Sequence, residues 1–199
     1  MRQVTSGDKG RLLAYEQNRP YFSFRAGAGA IGAGRGVVMA LQDEVMLLRE
    51  VPLFAGVQVA HLQVLAFSSR KETIKAGQDL IRAGERSASG WLIRKGAAEA
   101  FCEENGDQRK LARLERGAFC GELALVANLP HRLTVRAVSS VAALRIPHEL
   151  FLRVCGEFPE FGQQVLANLM RQFSRSMAEL AQVREAFEQA RAFSRKGQK

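Results

Sequence analysis

Phe119-Cys120-Gly121-Glu122-Leu123-Ala124-Leu125-Val126-Ala127-Asn128-Leu129-Pro130-His131-Arg132-Leu133-Thr134-Val135 joins two strand-like runs and brings several kinds of chemistry together. Gly121 lets the backbone come close to a ligand. Glu122, when ionised, only accepts hydrogen bonds, so it suits a hydroxyl such as a ribose 2′-OH. The turn at Leu123 and Ala124 opens a helix whose free amides attract a phosphate. A cation, His131 or Arg132, closes the segment, and an arginine there would grip a phosphate bidentately. Acid for a sugar, with amides and a cation for a phosphate, describes a small phosphorylated nucleotide. Cys120 has no histidine beside it in sequence and no evident acid–base pair. It reads as a small packing residue, and no catalytic residue is expected, so the chain does not read as an enzyme.

Working outward, short runs end at Gly77, Gly84, Gly90, Gly96, Gly106 and Gly117. Between them Glu72-Thr73-Ile74-Lys75, Asp79-Leu80-Ile81, Trp91-Leu92-Ile93, 98–102, 110–114 and 134–146 read as strands. Asn105-Gly106 is a hairpin signal. Turns this closely spaced imply an all-β roll or barrel and not a βαβ fold. Helices flank the roll. Leu41, Val45 and Leu48 repeat at helical spacing until Pro52-Leu53-Phe54 breaks the run. Residues 58–67 place Leu62, Leu65 and Ala66 on one face, with His61 as a surface or core-edge residue. Residues 148–155 form a short helix, and Pro159 opens a long one.

Over residues 51–189 the sequence resembles the cyclic nucleotide-binding domain. This is the module of the bacterial catabolite activator family, of cAMP-dependent kinase regulatory subunits and of cyclic-nucleotide-gated channels. The resemblance rests on Gly121-Glu122-Leu123-Ala124-Leu125, on Pro130, Thr134 and Val135, on Gly77, Gly84, Gly96 and Gly117, and on Pro52-Leu53-Phe54. It implies an α+β, mainly β fold: a β-roll of the double-stranded β-helix or jelly-roll type, flanked by N-terminal helices and a long C-terminal helix. It implies a nucleotide site at Gly121, Glu122, Leu123, Ala124, His131, Arg132, Leu133 and Thr134, with cAMP as the ligand, no other cofactor and no metal.

The family cassette reads like F-G-E-L-A-L followed by P-R-x-A-T-V. In the kinase-like register His131 takes the arginine position. In the catabolite-activator register, one residue longer, Arg132 takes it. Leu133 replaces a small or hydroxyl residue in either. The phosphate partner is therefore Arg132, His131 or neither, and Arg132 is favoured because a guanidinium stays charged and grips two oxygens. In guanine-selective relatives a threonine after that arginine bonds the base. Arg132 or Leu133 stands there, so cAMP is expected over cGMP. The function expected is a stand-alone cyclic-mononucleotide sensor, a regulatory module signalling through its C-terminal helix. The alternative is a degenerate, non-binding fold used for dimerisation or docking.

Of 199 residues, 29 are Lys or Arg and 20 Asp or Glu, a formal charge of +9 that favours an anionic partner. Hydrophobic residues at 47% and charged ones at 25% exclude a wholly disordered chain. No apolar run of about 18 residues exists, which excludes a membrane-spanning helix. The cysteines Cys102, Cys120 and Cys155 are odd in number and unpaired in spacing, as in a reducing, cytoplasmic setting. Scattered histidines without C-x-x-C make zinc improbable.

Residues 1–38 are expected to be a disordered glycine-rich arm. Gly27, Gly29 and Gly32 match G-x-G-x-x-G, but Gly34 and Gly36 sit where its helix should begin. Residues 39–158 hold the β-roll with its flanking helices, 159–193 a dimerisation and lid helix, and 194–199 a basic tail. Leu166, Met170, Phe173, Met177, Leu180 and Phe187 step by four and three, interrupted by Arg184, which argues a homodimer stripe. Arg171, Ser174, Arg175 and Ser176 lie on the same helix, within reach of a base. Too few residues follow for a helix-turn-helix, so direct sequence-specific DNA binding is not expected. The downstream protein partner is not identified by sequence.

Overall fold

The computed structural model describes the backbone of residues 36–86, 88–104 and 107–196, and the side chains of 41–86, 88–103 and 107–185. Expectations on Gly27, Gly29 and Gly32, on the arm to residue 35, on Asn105-Gly106, on the Phe187 side chain and on residues 197–199 lie outside these limits. The chain divides into two units, one ending at Asn168 and one opening at Leu169.

The first unit begins with helix α1 (Gly36–Glu50), the 3-10 turn Pro52–Phe54 and α2 (Val59–Ser68). Among the described residues eight strands follow: β1 (Arg70–Ile74), β2 (Asp79–Ile81), β3 (Ser89–Lys95), β4 (Ala98–Glu104), β5 (Asp107–Leu114), β6 (Phe119–Cys120), β7 (Thr134–Ala137) and β8 (Val141–Pro147). The short α3 (Glu122–Ala127) sits between β6 and β7, and α4 (His148–Glu157) and α5 (Pro159–Lys196) close the order. The strands build two four-stranded sheets, ordered β1-β8-β3-β6 and β2-β7-β4-β5, and every pairing is antiparallel.

Two-residue periodicity gives each strand two faces. Trp91, Ile93, Val141 and Ala143 of the first sheet share one buried cluster with Leu80, Val135, Ala98 and Ala100 of the second. Leu92, Leu144 and Ile146 alternate with them and are buried on the opposite face, where α1, α2 and α4 pack. There Phe54 meets Phe119 edge-on with centroids 5.6 Å apart and stacks on Phe161 at 6.3 Å. Gly90 is required at this contact: a Cβ would stand 2.4 Å from Phe119 Cζ.

Two polar anchors hold the helices. The buried Glu44 of α1 places Oε1 at 2.9 Å from Arg94 Nε and 3.0 Å from Lys71 Nζ. These contacts are short in distance but off the line of regular hydrogen bonds. They give a charge out of water the partners it needs. Asn168 Nδ2 donates to the carbonyls of Leu53 and Ala55, each at 2.8 Å.

Several boundaries differ from the sequence expectation. Helix α1 opens at Gly36, ahead of the boundary at 39, because a glycine weakens a helix interior but not a first residue whose N–H is free anyway. Helix α5 runs to Lys196 and not to 193, and Arg195 and Lys196 suit a helix C-terminus. The run 134–146 is two strands and not one. At 138–140 the chain crosses between sheets, with Val138 N–H on Ala97 O at 2.9 Å and Ser139 Oγ accepting from Ala97 N–H at 2.9 Å. His61 is buried, its ring 4.5 Å from that of Phe158 and its Nε2 3.4 Å from Glu160.

In the second unit α5 continues as a helix. Met170, Phe173, Met177, Leu180 and Val183 are exposed along it, and Arg175 Nε donates to Glu179 at 3.2 Å. Among the described residues no helix is long and apolar enough to cross a membrane. No group of three His, Cys, Asp or Glu among them could hold a metal ion.

Candidate functional site

The segment 119–135 begins where β6 pairs with β3, Trp91 opposite Cys120. The next residue must turn sharply into α3. Gly121 does so with φ 87° and ψ 22°, in the left-handed region that glycine enters most cheaply. Space imposes the same choice, since a Cβ at Gly121 would lie 2.6 Å from the Ser89 carbonyl oxygen. Helix α3 then closes its first turn with Leu125 N–H on Gly121 O at 2.8 Å. It ends at Asn128, also left-handed at φ 52°, whose N–H bonds Ala124 O at 3.1 Å.

Glu122 opens α3 and is buried, 6% exposed, as is Ala124, while Leu123 is half-buried. Burial pushes the Cys120 thiol up to about 12, and the charge of Glu122 adds to the rise. The thiol therefore stays protonated and is no nucleophile. Its Sγ faces Trp91 O at 3.8 Å, so Cys120 packs, as its place beside Gly121 suggests.

At the closing end the structure separates the two candidate cations. His131 is buried, 8% exposed, and its Cε1 comes within 3.3 Å of where a Gly121 Cβ would stand. Arg132 is exposed and Leu133 half-buried. The cation expected first, Arg132, is thus not the one brought against the cassette glycine. The backbone explains the choice. His131 N–H donates to Glu85 O at 3.1 Å and its carbonyl accepts from Gly84 N–H at 2.8 Å. This pairing fixes which side chain turns inward. Thr134 is buried and its Oγ1 accepts from Ala83 N–H at 3.1 Å, a structural bond within the roll.

Below this end, Asp79 of β2 holds Arg136 of β7, Nε to Oδ1 at 2.7 Å. Burial pushes the Asp79 carboxyl up, but the hydrogen bond and charge of Arg136, with Arg82 adding, hold it below the ordinary carboxylate value.

One residue that sequence reasoning missed ties the segment to the helices. His148, the first residue of α4, donates from Nδ1 to the Leu125 carbonyl at 2.6 Å. A carbonyl only accepts, so the proton sits on Nδ1. Nothing in the spacing of His148 announces this, because the contact depends on how α3 and α4 dock. Arg171, Ser174, Arg175 and Ser176 belong to the unit opening at Leu169.

The sequence profile described as the cyclic nucleotide-binding domain matches residues 71–158, which includes every residue of the segment. A cAMP-dependent protein kinase regulatory subunit of Blastocladiella emersonii is 27% identical over 118 residues, 59% of this chain and 29% of the relative. The chain thus spans less than a third of that relative's length. A cyclic nucleotide-binding-like protein from Brucella abortus is 26% identical, with a TM-score of 0.53 over 57% of this chain and 98% of its own. The N-terminal domain of a transcriptional regulator from Streptomyces coelicolor shares the fold at a TM-score of 0.62 and 23% identity, over 65% of this chain and 94% of that one. The likeness to these neighbours is one of fold. Over residues 71–158, then, the chain is similar to the cyclic nucleotide-binding family.

Proposed function

We propose that the segment 119–135 binds a cyclic mononucleotide, cAMP in preference to cGMP, and that the chain is a regulatory sensor. The observation that carries this is the convergence on Gly121: a left-handed glycine, the buried Glu122 beside it and the His131 ring against it. Glu122 is the acceptor for a ribose hydroxyl. His131 is the cation inside the segment, and the relatives named as cAMP-dependent kinase regulatory subunits support cAMP as the ligand. The bond from His148 to Leu125 gives a route by which ligand binding at α3 reaches α4 and then α5. The exposed apolar stripe of α5 fits a homodimer signalling through that helix, and sedimentation at tens of micromolar checks it, a monomer being the adverse result. The free state of Cys102, Cys120 and Cys155 fits a reducing, cytoplasmic setting.

A second reading has its own support: the exposed Arg132 leaves the segment with no inward guanidinium, as in a fold kept for docking without a ligand. Calorimetric titration with cAMP and cGMP at two pH values decides between them. The nucleotide reading expects saturable binding, tighter for cAMP. With His131 on the phosphate, affinity strengthens as pH falls through the region above about 6.5, since the anion favours imidazolium. Absence of binding at millimolar cAMP leaves the docking reading.

A further inference from the structure

We propose that Arg145 is the guanidinium that meets the nucleotide's phosphate, reaching it from the inner face of the roll. The inference rests on the nucleotide reading above. A phosphate in a partly buried site needs a matched charge. Helix α3 has only six residues, too short for a strong field of its own. Of the segment's cations, Arg132 is exposed, and His131 offers a single ring edge where a fork is wanted.

Arg145 stands directly opposite Trp91 across the β8–β3 pair, so the two side chains leave the same face of the sheet. That face is the one turned towards the second sheet, since Trp91 and Ala143 belong to the cluster the sheets share. The guanidinium carbon lies 5.4 Å from the centroid of the Trp91 ring. Its Nε donates to Ser89 Oγ at 3.0 Å. Ser89 is also the residue whose carbonyl oxygen stands 2.6 Å from a would-be Gly121 Cβ. A single buried serine therefore separates the guanidinium from the cassette glycine.

The acid beside Arg145 is Glu72, with Nη1 to Oε1 at 3.4 Å and side chains 32% and 35% exposed. A pair this long and this wet is weak and screened. A guanidinium has five donors in a fixed fork. Nε keeps Ser89 while a phosphate takes the terminal nitrogens from Glu72, and the fork turns on a peg that is already in place.

The test measures cAMP affinity by calorimetry for the wild type and for Arg145→Gln, Glu72→Gln and Arg132→Ala, with thermal melts alongside. Arg145→Gln should weaken cAMP by at least about tenfold. Glu72→Gln should tighten it several-fold by removing the competing acid, and Arg132→Ala should leave it within about twofold. Trp91 is the chain's one tryptophan, so its emission should shift as cAMP turns the guanidinium over the ring, and the shift should vanish in Arg145→Gln. A purely structural Arg145–Glu72 pair would give both variants the same sign. Should Arg145→Gln fail to fold, the sign of the Glu72→Gln effect decides. Unchanged affinity in Arg145→Gln, or weakening in Glu72→Gln, overturns the inference and leaves the nucleotide reading standing. A wild type that binds no cAMP overturns both.

Discussion

The two ends of the segment 119–135 are built on opposite principles. The opening end depends on one residue. Gly121 alone fits the left-handed turn, and the Ser89 carbonyl closes the space a side chain would need. The closing end depends on several weak contacts: His131 with Gly84 and Glu85, Thr134 with Ala83, and Arg136 with Asp79. Backbone sterics thus dictate shape at one end, while shared pairing places the charge at the other. An end fixed by one steric demand tolerates no substitution there. An end fixed by distributed bonds gives way gradually.

The sharpest way to break this contrast is Gly121→Ala. The left-handed backbone alone costs about 1–3 kcal/mol for a residue with a Cβ. The contact with the Ser89 carbonyl, which is backbone and cannot swing aside, adds to that. The denaturant midpoint should fall clearly and cAMP binding should be lost. A variant as stable as the wild type would show the two ends to be alike.

Asp79→Asn probes the closing end and should do less. Because the folded carboxyl is held below its ordinary value, its stabilisation is complete above the unfolded value of about 3.9 and fades as pH falls below it. The partners Arg136 and Arg82 are well exposed, so the contribution is at most about 1 kcal/mol. Urea midpoints of wild type and variant should differ near neutral pH and converge as the solution is acidified towards pH 3. A gap that widened in acid would contradict the sign.

The opening end was legible in the sequence because a steric demand leaves its mark on residue identity: Gly-Glu-Leu-Ala-Leu admits few other shapes. The closing end was not. Inward His131 and outward Arg132 differ by a one-residue slip, and the choice is made by pairing with Gly84 and Glu85, far away in the chain. The roll itself was legible from turn spacing, but 134–146 read as one strand because alternation continues across the sheet change. Arg145 was hidden for a related reason. Within 141–147 the pattern shows that faces alternate, and only the pairing with Trp91 tells which face looks inward. His61 lies at the edge of an apolar stripe in α2, and its burial comes from Phe158 and Phe161, which sequence spacing does not bring to it.

Asn168 sets how far the chain can be shortened. Its carboxamide is the donor for two carbonyls, those of Leu53 and Ala55, at the far end of the same unit. A fragment cut at 158, where the family match stops, would look complete by alignment yet leave both carbonyls without that donor. The smallest piece worth expressing therefore runs about three helical turns further, and its last indispensable residue is a carboxamide in α5 that no β-roll motif includes.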